Sequence, residues 1–573
     1  MTTAHELAER DFDVVVYELR ELPGGKARSM AARPGVGGRQ PLPGEHGFRF
    51  FPGFYNHLPD TMTRIPYANQ WNGVRDNLVT ATEVQMAREH GANELITPAS
   101  LPTNLADWDK LFVFLDQYER EVAIPDAEKR HFGLLLARLL ASCRARRFEQ
   151  YEHQSWWEFS SAASRTEDFQ RYLADGLTRS LVAAQAKEVS ARTGGYILLQ
   201  LLQDMFRFNG QVDRVLRGPT NDLWLNPWLA KLRDLGVDYR FCHRVEELRS
   251  DGPHVSGIVG HMVKWTETGP ISANSFEDSA DYYVCAVPVE VMQPGEYGIA
   301  MEGLRGVSDS IARLEGLRYR WMNGIMFYLA EDVPVVHGHS IYIDSALALT
   351  SISQRQFWPG VDFPELGDGT VGGILSVDIS DWEDGRGRYV AKGKRARECS
   401  KEEIAREVWA QLQAALNNDE EILASSNLVD WFLDPSIVFP NPTKATNLEP
   451  LMINTKGSWD IRPEAALPEV DNLFLASDYV RTFTDLATME AANEAARRAV
   501  NAILDTADWD RDDRCRLFPL QEPGGPFWVA RKADEVIYRL SGGKLEPPSP
   551  VAAQDGEVRV SPAAGLTRPL QRE

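Results

Sequence analysis

Cysteine is scarce in this chain. Five are present in 573 residues (Cys143, Cys242, Cys285, Cys399 and Cys515), widely scattered and with no C-x-x-C pair. That spacing argues against a disulfide framework or a metal centre and makes a reducing cytoplasm the expected setting. Basic charge is outnumbered: 61 Lys and Arg stand against 83 Asp and Glu, for a net charge of −22. So acidic a chain is a poor nucleic-acid binder, and its overall charge does not hold it to anionic lipid. No apolar run reaches membrane-spanning length, and residues 1–20 lack the profile of a secretory signal. There is no convincing Ser/His/Asp order, no H-E-x-x-H and no Walker loop, so the most legible hydrolase, zincin and phosphoryl-transfer chemistries have no support.

What is present is globular. Hydrophobic residues make up 43% and aromatics 10%, a composition that folds. The length exceeds one simple core and predicts two intimately joined domains. The most telling stretch lies late in the chain. Asn472-Leu-Phe-Leu-Ala-Ser-Asp478 reads as a short buried strand entering a loop with one acid, and Thr484-Asp-Leu-Ala-Thr-Met-Glu-Ala-Ala492 opens an Ala-rich helix with little bulk in its first turn. The free N–H groups and positive dipole end of such a helix suit an electron-rich ligand. At the other end, residues 3–10 predict a helix and Val14-Val-Val-Tyr-Glu18 a buried parallel strand closing on an acid. In a dinucleotide fold, that acid accepts hydrogen bonds from ribose hydroxyls. Gly24-Gly25-Lys26-Ala27-Arg28-Ser29 follows, but no first strand and no G-x-G-x-x-G turn precede Glu18. The pattern fits a start placed too far downstream, or a form with weakened dinucleotide binding; the survival of the rest favours the first.

Taken in order over residues 3–505, these motifs resemble the FAD-dependent amine oxidase and phytoene desaturase superfamily. The strand Asp281-Tyr-Tyr-Val-Cys-Ala-Val-Pro288 resembles the segment that returns the chain to the nucleotide domain in that superfamily. The resemblance implies an α/β fold: a Rossmann-like FAD-binding domain without its first strand, joined to a mixed α+β substrate domain. FAD binding is expected from residues 1–70, 216–300 and 461–510. A helical substrate or lid region is expected over 71–215, and substrate-domain sheet and helices over 301–460. Residues 511–540 form an extension, and the Pro-, Gly- and Ser-containing stretch 541–573 is expected to be a disordered tail. The implied cofactor is FAD, held by Glu18 at the ribose, Gly24, Gly25, Lys26 and Arg28 beside it, and the Val245 backbone at adenine. Ser477 and Asp478 are implied at the ribityl–pyrophosphate, with Met489, Glu490 and Ala491 at the helix start. Ser477 and Ala491 stand where the superfamily usually has Gly.

Local patterns add detail. Phe132–Leu140 and Tyr196–Leu202 read as helical, Trp228–Gly236 as a short helix with a Gly stop. Strands are expected at 237–241, 255–259, 323–329, 340–343 and 372–378, and Ser400 with Glu403 spells a capping box. His46 and Arg49, in a loop rich in Gly and Phe, are the candidates for contact with substrate or flavin. Tyr479 and Phe483 could line an aromatic cage, whereas Trp156, Trp157 and Tyr342 read as core or pocket wall. No metal is called for. The function implied is dehydrogenation or desaturation of a lipophilic, isoprenoid- or carotenoid-like molecule by hydride transfer to flavin. Amine oxidation is the alternative within enzymes, and a flavin-free binding or scaffold protein is the alternative outside them. The electron acceptor stays open, as does peripheral membrane contact through an apolar patch.

Overall fold

A computed structural model describes residues 1–89, 95–98, 124–176, 185–205, 213–266, 269–333, 335–418, 420–442, 444–509 and 513–547. Part of the helical region expected over 71–215, and the tail beyond residue 547, lie outside the described residues. In chain order, helix α1 (Thr2–Ala8) leads into strand β1 (Val15–Tyr17) and helix α2 (His57–Thr63). Strands β2 (Glu83–Ala87) and β3 (Leu95–Pro98) precede helices α3 (Asp126–Ala141), α4 (Arg144–Glu149), α5 (Ala191–Met205) and α6 (Asn226–Asp234). Strands β4 (Asp238–Arg240), β5 (His243–Asp251), β6 (His254–Thr266), β7 (Gly269–Asp278) and β8 (Tyr283–Cys285) follow. Then come β9 (Asn323–Leu329), β10 (Gly338–Tyr342), β11 (Leu349–Ser353), β12 (Gly373–Ile379), helix α7 (Lys401–Leu416), β13 (Leu428–Leu433), β14 (Leu473–Leu475), α8 (Met489–Thr506) and α9 (Pro526–Ser541).

The first half of the molecule is assembled from both chain ends. β1 runs parallel to β4, and β8 runs parallel to β14. The Ala face of α8 (Ala495, Ala496 and Ala499, all nearly inaccessible) shares one core cluster with Leu473 and Leu475 of β14 and Cys285 of β8. Small side chains let this helix lie close on the strands. Beside these pairs, β5, β6 and β7 form an antiparallel three-stranded sheet. β6 continues well past the stretch expected from sequence, because His261 and Lys264 interrupt the apolar pattern by which the strand is recognised.

The second half is a seven-stranded sheet in the order β13–β9–β12–β11–β10–β2–β3. Its pairs are antiparallel except β10–β2. Every residue of β9 and β12 is buried, which is why both read as continuous apolar runs without alternation. Helix α7 roofs the sheet through Ile404, Val408 and Leu412, and its Ser400/Glu403 capping box forms as expected. Tyr342 is part of this core, and Trp156 packs with Leu135 and Leu139 in a separate helical cluster. The extension forms helix α9, stopped by Gly542 and Gly543, both at positive φ.

Candidate active site

A cavity of about 1270 Å³ lies where the two halves meet. It exceeds the ~300–1,000 Å³ of a pocket for a single small ligand, so a dinucleotide and a substrate can share it. The strand edges give it an unusual wall. Val14 O and the Glu18 amide bond to β4, at Asp238 N and Arg240 O, so Val15 and Tyr17 turn their backbone groups away from that partner. Likewise, the Tyr283 amide and Cys285 O bond to the β14 strand, so Tyr282, Val284 and Ala286 turn theirs away from it. All five residues line the cavity. Among the described residues the two parallel pairs β4–β1 and β8–β14 have no strand between them. This is the position that a dinucleotide fold gives its first strand.

Glu18 lies at the end of β1, on the cavity wall. Its Oε1 accepts the Arg20 amide at 2.9 Å. Burial pushes its carboxyl above the usual range, and that amide and the Arg28 charge offset it only in part. Its ionised form is therefore short of donors, which a vicinal diol would supply. Gly24 (φ +112°) and Gly25 (φ +53°) need the left-handed conformation. A Cβ on Gly25 would meet nothing within 4 Å, whereas one on Gly24 would sit 2.2 Å from Leu225 Cδ1. The turn thus has one face packed and one open to the cavity. Lys26 also lines it, tied by its Nζ to Glu290 at 2.7 Å and to the Pro450 carbonyl. Val245, Ser477, Asp478 and Met489 are on the wall as well, with Ser477 Oγ 3.3 Å from Asp478 Oδ1. An acid short of donors, an open Gly turn and a helix start within one cavity fit FAD.

Three expected cofactor residues are placed differently. Arg28 lies beneath the turn, 2% exposed, bonded to the Gly25 carbonyl and paired with Glu449 at 2.8 Å. Glu490 serves the amino end of α2: its oxygens accept the amides of Asn56, His57 and Leu58 at 2.7, 2.7 and 2.9 Å, and meet His57 Nδ1 at 2.8 Å. Ala491 is fully buried, its amide bonded to the Thr488 cap. None of the three is on the cavity wall. On a helix, residues 490 and 491 point away from the face that Met489 and Ala492 present to the cavity.

His46 and Arg49 both line the cavity. His46 Nδ1 is 2.6 Å from Asp434, inside a buried charge network with Glu449, Arg20 and Arg28. Burial raises both carboxyls, but the contact with His46 and then the Arg28 charge bring Asp434 below the ordinary range, and Arg28, Arg20 and His46 bring Glu449 well below it. Arg49 bonds to the Lys26 carbonyl at 2.5 Å and the Phe48 carbonyl at 3.3 Å. Burial lowers its pKa, and Glu45 and Asp378 counter that in part. Asp378, at the end of β12, was not singled out from sequence. It lines the cavity beneath Gly47, where an added Cβ would stand 2.5 Å from its Oδ1. That oxygen has no hydrogen-bond partner among the described residues, and burial pushes the carboxyl up to about 7. The sole sequence cue was an acid ending an otherwise apolar strand. Tyr479 is packed into the core, and Phe483 lies under Arg498 at the surface, so neither is on the cavity wall. The aromatics there include Phe48, Phe50, Phe54 and Tyr55.

The sequence matches the family model of flavin containing amine oxidoreductases over residues 1–325 and 340–504. No curated protein matches it. Among solved structures, cyclohexylamine oxidase from Brevibacterium oxydans IH-35A is similar, with 13% identity and a TM-score of 0.55 over 88% of this chain and 96% of that one. A putrescine oxidase with putrescine bound gives 12% and 0.54 over 88% and 96%. An oxidoreductase from Methanosarcina mazei gives 11% and 0.52 over 88% and 97%. At such identities the likeness concerns the fold, an FAD-binding Rossmann-like domain with a substrate domain. With the family model matched over most of its length, the chain belongs to the flavin-containing amine oxidoreductases and is an FAD-dependent oxidoreductase.

Proposed function

We propose that the protein dehydrogenates a lipophilic small molecule, isoprenoid-like in its apolar bulk. The observation that carries this reading is the wall beyond the Gly24–Gly25 turn, where Phe48, Phe50, Phe54, Ile197, Leu201 and Met322 face the cavity. FAD, when bound, supplies the acceptor for a hydride from substrate carbon. The chain's own part is to hold and to exclude. Glu18, Asp478 and the Gly24–Lys26 turn would hold the cofactor. The aromatic and aliphatic wall displaces water from an apolar substrate, and Arg49, fixed by two carbonyls, keeps a positive charge beside the Lys26 turn. The test is anaerobic mixing of the FAD-loaded protein with polyisoprenoids in detergent micelles. Loss of the oxidised-flavin band with a product two hydrogens lighter supports the reading. A flavin that stays oxidised with polyisoprenoids but bleaches with simple amines sinks it.

Amine oxidation is the second reading, and Asp378 is the observation that favours it. A buried carboxylate with a free oxygen on the cavity wall can take the proton of a substrate ammonium and leave the amine neutral. Amine-dependent release of hydrogen peroxide tests it, and its absence across mono- and diamines would dismiss it.

Asp378 also makes a prediction independent of substrate. Its folded pKa of about 7 lies above the ordinary carboxyl value, so the native state retains a proton that the unfolded chain releases. Its contribution to stability is therefore greatest in acid, declines as pH rises towards about 7 and is level above that. Glu45, also raised to about 7 by burial, adds a parallel slope. Asp378→Asn is expected to reduce the fall in melting temperature across this range without abolishing it. An identical slope in the variant would contradict the assignment.

A further inference from the structure

Helix α9 carries an apolar stripe that nothing among the described residues covers. Val529, Ala533, Val536 and Leu540 follow the spacing of one helix face, and all are exposed, Val529 by 60%, Val536 by 57% and Leu540 by 85%. Trp528, 55% exposed, stands at the edge of the stripe. The opposite face is fixed to the body. Asp534 and Arg146, both fully buried, pair at 2.7 Å, and Asp534 also accepts the Cys143 amide at 2.8 Å. The stripe is therefore held outwards by a buried ion pair and is not the product of a loosely attached helix. Nor is α9 remote from the cavity. Glu522 and Gln521, just before it, bond to Tyr196 and Gln200 on the outer side of α5, while Ile197 and Leu201 of the same helix line the cavity.

The border of the stripe indicates its partner. Lys532 and Arg539 flank it with highly exposed side chains, paired at 3.2 and 2.7 Å with the single acid Glu535 between them, and Lys544 follows the helix, so the border carries three cations against one acid. In a chain of net charge −22, a basic border with an exposed Trp is a local reversal. Apolar residues flanked by Lys, Arg and Trp match the interface of a phospholipid leaflet, where the stripe enters the acyl boundary and the border meets phosphates. A second copy of the chain would instead present the same basic border to itself. We propose that α9 docks the protein onto a phospholipid surface, its stripe lying in the plane of the interface. No helix among the described residues is long and apolar enough to cross a membrane.

The test is flotation of the full chain with vesicles of phosphatidylcholine and phosphatidylglycerol, beside the double variant Val536→Asp/Leu540→Asp. Both positions are exposed, so the variant should fold, with an unchanged circular dichroism spectrum and melting temperature. The wild type is expected to float with the vesicles and the variant to partition at least tenfold less. A wild type that stays at the bottom of the gradient overturns the proposal, as does a variant that floats equally. A wild-type dimer in sedimentation velocity that the double substitution dissociates, with no vesicle binding by either, overturns it in favour of self-association.

Discussion

Glu18→Gln is expected to weaken FAD binding by roughly a hundredfold without lowering the stability of the apoprotein. The carboxylate follows β1 on the cavity wall, and among the described residues its hydrogen-bond donor is the Arg20 amide. Two ribose hydroxyls donating to it would form charge-assisted bonds, each worth about 1.5–3 kcal/mol. Replacement by a neutral amide keeps the shape and forfeits much of that difference. In the apoprotein the sign is the opposite, because burial already disfavours the charge and holds the pKa up. Removing it should therefore leave the melting temperature unchanged or raised. Fluorescence titration with FAD and a thermal melt of the apoprotein check both halves. An unchanged dissociation constant would remove Glu18 from the cofactor site, and a large loss of apo stability would make its role structural.

Glu490→Ala is the largest expected effect on stability. Glu490 is 1% exposed, and its two oxygens accept three consecutive amides at the start of α2 as well as facing the His57 ring. Helix starts have orphan donors, and this acid, brought from α8, satisfies them across the interface between the two helices. Truncation leaves buried amides without an acceptor, at about 1–3 kcal/mol each when nothing replaces it. Partial repair by water brings the expected loss to roughly 3 kcal/mol in urea unfolding. Glu490→Gln, which keeps one acceptor oxygen, should recover part of it. A loss below about 0.5 kcal/mol, the ordinary range for a surface change, would mean the α2 amides are satisfied by another route.

The contrast between Glu18 and Glu490 shows what was legible in the sequence. Glu18 ends a short apolar strand, and a strand end places its last side chain at the sheet's carboxyl edge, where α/β folds bind ligands. Local pattern was therefore enough to put it at the cavity. Glu490 belongs to an equally recognisable segment, but its direction depends on helix phase and on where α2 packs, and neither is encoded within ten residues of it. Asp378 was missed for a similar reason. β12 announces itself as a buried strand, and only the approach of the Gly47 loop makes its terminal acid part of the cavity. The aromatic cage expected from Tyr479 and Phe483 fails on the same ground: the loop after β14 sends the first into the core and the second to the surface. The direction in which the edges of β1 and β8 turn their free backbone groups follows from hydrogen-bond parity, which becomes visible only once the partners of each strand are known.

Hydrogen–deuterium exchange with and without FAD tests most directly whether both ends of the chain build one cofactor site. Binding is expected to slow exchange together at the end of β1 and the Gly24–Lys26 turn, along β8, and over Ser477 to Met489. Protection confined to one of these regions, or absent from all three, would contradict a site assembled from both ends.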